Sequence, residues 1–177
     1  MSEKGTIEKV KAREGLFSRI QNILTAGYST KEDLRELDKQ LRDFYFEDLR
    51  ELRHQWEKVY LEALDARQTT LGRSFKTVIQ TMDRVSEQIN RADYGYAGLW
   101  DRKGSTKENE LARVFDSDKA LGAEIDEIKE GVEKVQSAVT GGEWKEVAAG
   151  VETLKQSLRQ LESKWKDREK LFRPPSV

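Results

Sequence analysis

The sequence predicts an all-α protein, an elongated antiparallel helical bundle with coiled-coil-like packing that ends in a C-terminal helical hairpin. Three observations carry that expectation. Apolar residues recur three and four positions apart along most of the chain, which is the spacing of one helical face. The two prolines are Pro174 and Pro175, so no proline upstream of them forces a helix to stop. Charged residues make up 37% and hydrophobic residues 36% of the chain, enough of each to give every helix a solvated face and a core-forming face. A length of 177 residues suits one domain, 1–177, with a substantial core.

The first helix is expected over 6–26, where Ile7, Val10, Leu16, Phe17, Ile20, Ile23 and Leu24 follow helical spacing and Gly27 marks the end. Residues Ser29 to Glu32 read STKE, in which the hydroxyl caps the next helix while the glutamate reaches back, a capping box. The stripe Leu34, Leu37, Leu41, Tyr45, Leu49, Leu52, Trp56 and Val59 continues through Leu64, Gln68, Leu71, Phe75, Val78, Met82, Val85 and Ile89. One helix is therefore expected over 30–92, about 90 Å long. The weak helix formers Thr69, Thr70 and Gly72 mark 69–73 as the place for a break.

Residues 93–104 must redirect the chain, because Gly95, Gly98 and Gly104 interrupt the pattern there. STKE then recurs at Ser105 to Glu108, opening a short helix over 106–115. Asp116 or Ser117 can cap another helix over 118–139. Its stripe is Leu121, Ile125, Ile128, Val132, Val135 and Val139; the last helix, 143–172, carries Trp144, Val147, Val151, Leu154, Leu158, Leu161 and Trp165. A turn as short as Thr140 to Gly142 makes these two helices antiparallel, with facing residue numbers that sum to about 283. That register sets Gly131 and Gly150 at almost one level, where the backbones can approach closely. The tail 174–177 is expected to be disordered.

Composition narrows the function classes. With 32 basic and 33 acidic side chains, no global field draws the protein to nucleic acid. The basic residues at 67–92 and 164–173 are interleaved with acids, which reads as solvated helix surface. The absence of cysteine rules out a disulfide framework or a thiolate nucleophile and suits a cytoplasmic location. No run of roughly 20 apolar residues is present to span a bilayer. Glu51 and His54 stand at the E-x-x-H spacing of carboxylate-bridged metal sites, but such sites need a second motif, and His54 is the single histidine. No phosphate loop or nucleophile triad is recognisable. The chain is therefore read as non-enzymatic, without cofactor or metal.

The expected function is interaction or assembly through protein contacts, with a protein partner or a second copy of the chain. The consecutive aromatics Phe44, Tyr45 and Phe46 project about 100° apart, so more than one helix face is covered. Phe44, Phe46, Trp56 and Tyr60 are the candidate interface. In the 93–104 connector, Tyr94, Tyr96, Leu99 and Trp100 form either a packed cap on the bundle or a binding site, the cap being the preferred reading.

A second functional reading comes from the N-terminal helix. The stretch GLFSR, Gly15 to Arg19, lies in an amphipathic helix ahead of a long helical segment. It resembles the N-terminal GIFSR stretch of the phage-shock protein A family. That resemblance covers about five residues and the order of elements, and implies peripheral membrane binding and assembly through long helical hairpins. The glycine-aromatic interruption at 93–104 and the separate terminal hairpin depart from the family's pattern. Under this alternative, Phe17, Ile20 and Ile23 form the face laid on lipid.

Overall fold

The computed structural model describes residues 3–26, 31–92 and 105–172. Among these the protein is all-α: helices α1 (Glu3–Ala26), α2 (Lys31–Asp65), α3 (Gly72–Arg91), α4 (Ser105–Gly141) and α5 (Trp144–Phe172), with a 3-10 turn at Thr69–Leu71 and no strand. The helices pack as a bundle, as the three-four periodicity requires.

Two boundaries differ from the sequence expectation. The helices expected over 106–115 and 118–139 are one helix, α4. Asp116 and Ser117 have capping chemistry, but neither residue breaks a helix, and continuing through them keeps the backbone hydrogen bonds intact. The helix expected over 30–92 stops at Asp65, earlier than the 69–73 break point. There the Arg67 N–H donates to the Leu64 carbonyl (2.8 Å) and the Gln68 N–H to the Ala63 carbonyl (3.0 Å). Arg67 sits at φ 60°. This pair of bonds around a left-handed residue is a Schellman stop. The turn between α4 and α5 repeats it: the Gly142 N–H donates to Val139 (3.1 Å), the Glu143 N–H to Ala138 (2.9 Å), and Gly142 has φ 70°.

The chain forms two compact units. The first contains Met1–Phe44, Ala92–Ala120 and Lys166–Val177; the second contains Tyr45–Arg91 and Leu121–Trp165. Helices α2, α4 and α5 each contribute residues to both.

The first unit buries Leu16 and Ile20 of α1, Leu37 and Leu41 of α2, and Val114 and Phe115 of α4. Phe17 meets Phe115 edge to face, with centroids 5.6 Å apart and planes at 82°, the orientation favoured by the ring quadrupole.

In the second unit α2 and α3 run antiparallel. Trp56 and Tyr60 of α2 both stack on Phe75 of α3, with centroid distances of 4.8 and 5.6 Å, and the Trp56 indole N–H donates to the Phe75 carbonyl at 3.1 Å. That bond satisfies the one polar atom of a ring that is otherwise all core. Helices α3 and α5 run parallel, because Ser74 reaches Glu152 and Arg84 reaches Glu162 at the same sequence separation of 78.

The α4–α5 hairpin buries the stripe Leu121, Ile125, Ile128, Val132 and Val135 against Val147, Val151, Leu154, Leu158 and Leu161. Its two glycines do not face one another. A Cβ at Gly131 would lie 2.7 Å from Leu154 Cδ2, and one at Gly150 would lie 2.5 Å from Val135 Cγ2. Each glycine thus receives an aliphatic side chain of the other helix, which allows the close approach expected from the sequence by a different contact.

Candidate functional site

Two polar features stand out from this framework. The first lies inside the first unit, where α2, α4 and α5 contribute Asp38, Arg42, Asp118 and Arg168. Asp38 and Asp118 are 0% exposed, Arg168 1% and Arg42 7%. Arg168 Nη2 donates to Asp38 Oδ1 at 2.6 Å and to Asp118 Oδ2 at 3.4 Å, and its Nε donates to Asp118 Oδ1. Arg42 Nε donates to Asp38 Oδ2 at 3.0 Å and its Nη1 to the Ala92 carbonyl at 2.7 Å. The Arg168 guanidinium also lies 4.8 Å from the Phe172 ring centroid.

Two carboxylates thus meet two guanidiniums, and the forked geometry of arginine lets one side chain tie two helices at once. Removing one member would strand a buried charge, which typically costs about 3–5 kcal/mol. Sequence reasoning missed this quartet, although Asp118 falls between Val114 and Leu121, and Arg168 follows Leu161 and Trp165, both at stripe spacing.

The second feature is a surface cavity of about 540 Å³ in the second unit, lined by Phe46, Arg50, Glu51, Arg53, His54, Asp83, Ser86 and Glu87. Arg53 is held by Asp83 (3.0 Å) and Glu57 (2.8 Å). Arg50 lies over Phe46, 5.5 Å from the ring centroid. The Ser86 hydroxyl donates back to the Met82 carbonyl at 2.7 Å, and Glu87 pairs with Arg91. The lining therefore mixes both charge signs, which suits contact with a polar surface better than capture of a phosphate, where the acids would repel. Glu51 and His54 both line it, and among the described residues no group of three His, Cys, Asp or Glu converges as a metal site.

Trp56 is fully buried and belongs to the core of the second unit, so it offers no surface to a partner. Phe44, Phe46 and Tyr60 are half-buried. Ile20 is buried and Phe17 is half-buried against Phe115, so these two residues of the expected lipid face are engaged inside the first unit. The Ile23 side chain and the connector residues Tyr94, Tyr96, Leu99 and Trp100 lie outside the described residues. No helix among the described residues is long and apolar enough to cross a membrane. Compared with protein-family models, with curated proteins and with solved structures, the chain has no match.

Proposed function

We propose that the protein is a non-enzymatic helical interaction module that binds a protein partner, in the simplest case a second copy of itself, through the outer side of α2. The carrying observation is the sequence of side chains there. Phe46, Arg50, His54 and Leu61 follow one another at spacings of four, four and seven, which keeps them on one side of the helix. Leu61, 54% exposed, is the exposed large apolar side chain among the described residues. The mixed-charge cavity borders the same side, giving polar partners around an apolar contact, as protein interfaces have.

The test is size-exclusion chromatography with light scattering on the native chain and on Phe46→Glu with Leu61→Glu. The native chain is expected to associate and the variant to lose that association with its helicity unchanged. A native chain that stays monomeric at all concentrations and an association indifferent to the double substitution would each overturn the proposal.

A further inference from the structure

The apolar stripes of this protein are repetitive, and repetition leaves the alignment of helices degenerate. The α4–α5 register is set by the tight turn at Gly142. Helix α2 meets no such turn of its own with them: it joins α3 at the Arg67 corner, is held to α5 through α3 there, and α3 and residues 92–104 intervene before α4 begins. Displaced by one heptad in one direction, α2 would set Tyr45, Leu49 and Leu52 in the places of Leu52, Trp56 and Val59, apolar for apolar; displaced in the other, it would also set Asp48 in the place of the buried Leu41. The charged quartet breaks that degeneracy. Seven residues from Asp118 stand Leu111 and Ile125; seven before Arg168 stands Leu161; seven after Asp38 and Arg42 stand Tyr45 and Leu49, and seven before them the cations Lys31 and Arg35, which match neither the charge of Asp38 nor its bond to Arg168. A heptad displacement therefore breaks the Arg168–Asp38 bond between α5 and α2 and leaves the Asp38–Arg42 pair of α2 or the Asp118–Arg168 pair of the hairpin facing hydrocarbon, while in the native alignment the two pairs close on each other.

We infer that Asp38, Arg42, Asp118 and Arg168 form a register lock, selecting a single alignment of α2 on the α4–α5 pair in the first unit against displaced or intermolecularly exchanged alignments. The lock acts by discrimination more than by stabilisation, because a matched buried ion pair returns little over hydrocarbon of the same volume. Arg168 is its centre, since it joins the α2 and α4 carboxylates. Stacking on Phe172 keeps its guanidinium plane oriented. A single polar residue in a helical seam fixes alignment by the same logic.

The test compares the native chain with the charge-free variant Asp38→Leu, Arg42→Leu, Asp118→Leu, Arg168→Met, and with the half-removed, still neutral Asp118→Leu, Arg168→Leu. Amide NMR spectra and light scattering are recorded for each. The lock predicts that the variants keep their helicity and their urea midpoint or raise it. It also predicts a second set of first-unit amide peaks at roughly a tenth of the intensity of the main set or more, or new oligomers absent from the native chain. One set of peaks and an unchanged oligomer distribution in both variants would overturn the inference. Failure of both variants to fold would overturn it too, because the quartet would then be a source of stability and not of selection.

Discussion

The two hairpin glycines make a prediction with an internal control. Replacing a helix-interior glycine by alanine gains about 0.8–1 kcal/mol of helix propensity. At Gly15 nothing lies within 4 Å of the added Cβ, so Gly15→Ala should return that full gain. At Gly150 the methyl would sit 2.5 Å from Val135 Cγ2. Valine is stiff at χ1 and Val135 is buried, so the clash has to be relieved by moving backbone, at about 1–3 kcal/mol. Gly150→Ala is therefore expected to destabilise by about 1 kcal/mol net. At Gly131 the contact is the terminal Cδ2 of Leu154, which can turn aside at about 0.5–1.5 kcal/mol, leaving Gly131→Ala near neutral. Urea unfolding followed by circular dichroism gives the three values. The order Gly15→Ala above Gly131→Ala above Gly150→Ala, spanning about 2 kcal/mol, is the expected result. A Gly150→Ala variant as stable as Gly15→Ala would refute the close approach of α4 and α5.

Other perturbations follow from the same structure. Arg67→Gly should stabilise by about 1 kcal/mol, because the left-handed backbone at this position strains any residue with a Cβ; a loss of stability on thermal unfolding would count against the Schellman stop. Trp56→Ala should cost about 3–5 kcal/mol by opening a cavity beside Phe75, and a loss below 1 kcal/mol in urea would show that the ring is not core. The Lys155 ammonium donates to Glu152 and holds its carboxyl below the usual range. The pairing is thus present at neutral pH and lost as pH falls through that lowered value. In an NMR titration Lys155→Met should move Glu152 upward; an unmoved midpoint would show that the pair is not formed in solution.

The parts of this fold readable from sequence are those where one local rule acts alone. The hairpin at Gly142 was readable because glycine there announces a left-handed residue. The same stop at Arg67 was hidden, since the Schellman geometry is imposed on an arginine and the apolar stripe runs on across it. The single helix α4 was hidden for a related reason: Asp116 and Ser117 look like caps, and capping preference does not say whether a helix is entering or passing through. Asp118 and Arg168 did carry a signal, a charged residue standing at an apolar stripe position. One such residue is ordinarily a surface charge; its meaning came from where the folded chain brought it, beside Asp38. Trp56 serves the core and not an interface because its ring is covered by α3, and the sequence says that an aromatic is covered without saying by which helix.

The two stops also differ in when they can act during folding. The Gly142 corner needs only its own residues, and the helices on either side meet across a short loop, so the α4–α5 hairpin can assemble early with little loop-closure entropy. The Arg67 corner is locally unfavourable, because it holds a residue with a Cβ in the left-handed region. Helices α2 and α3 are therefore expected to close on each other late, once Phe75 has Trp56 and Tyr60 to stack on and α5 offers Glu162 to Arg84. On this order the hairpin is the template, and substitutions in it should slow folding while those at the Arg67 corner mainly change the rate of unfolding.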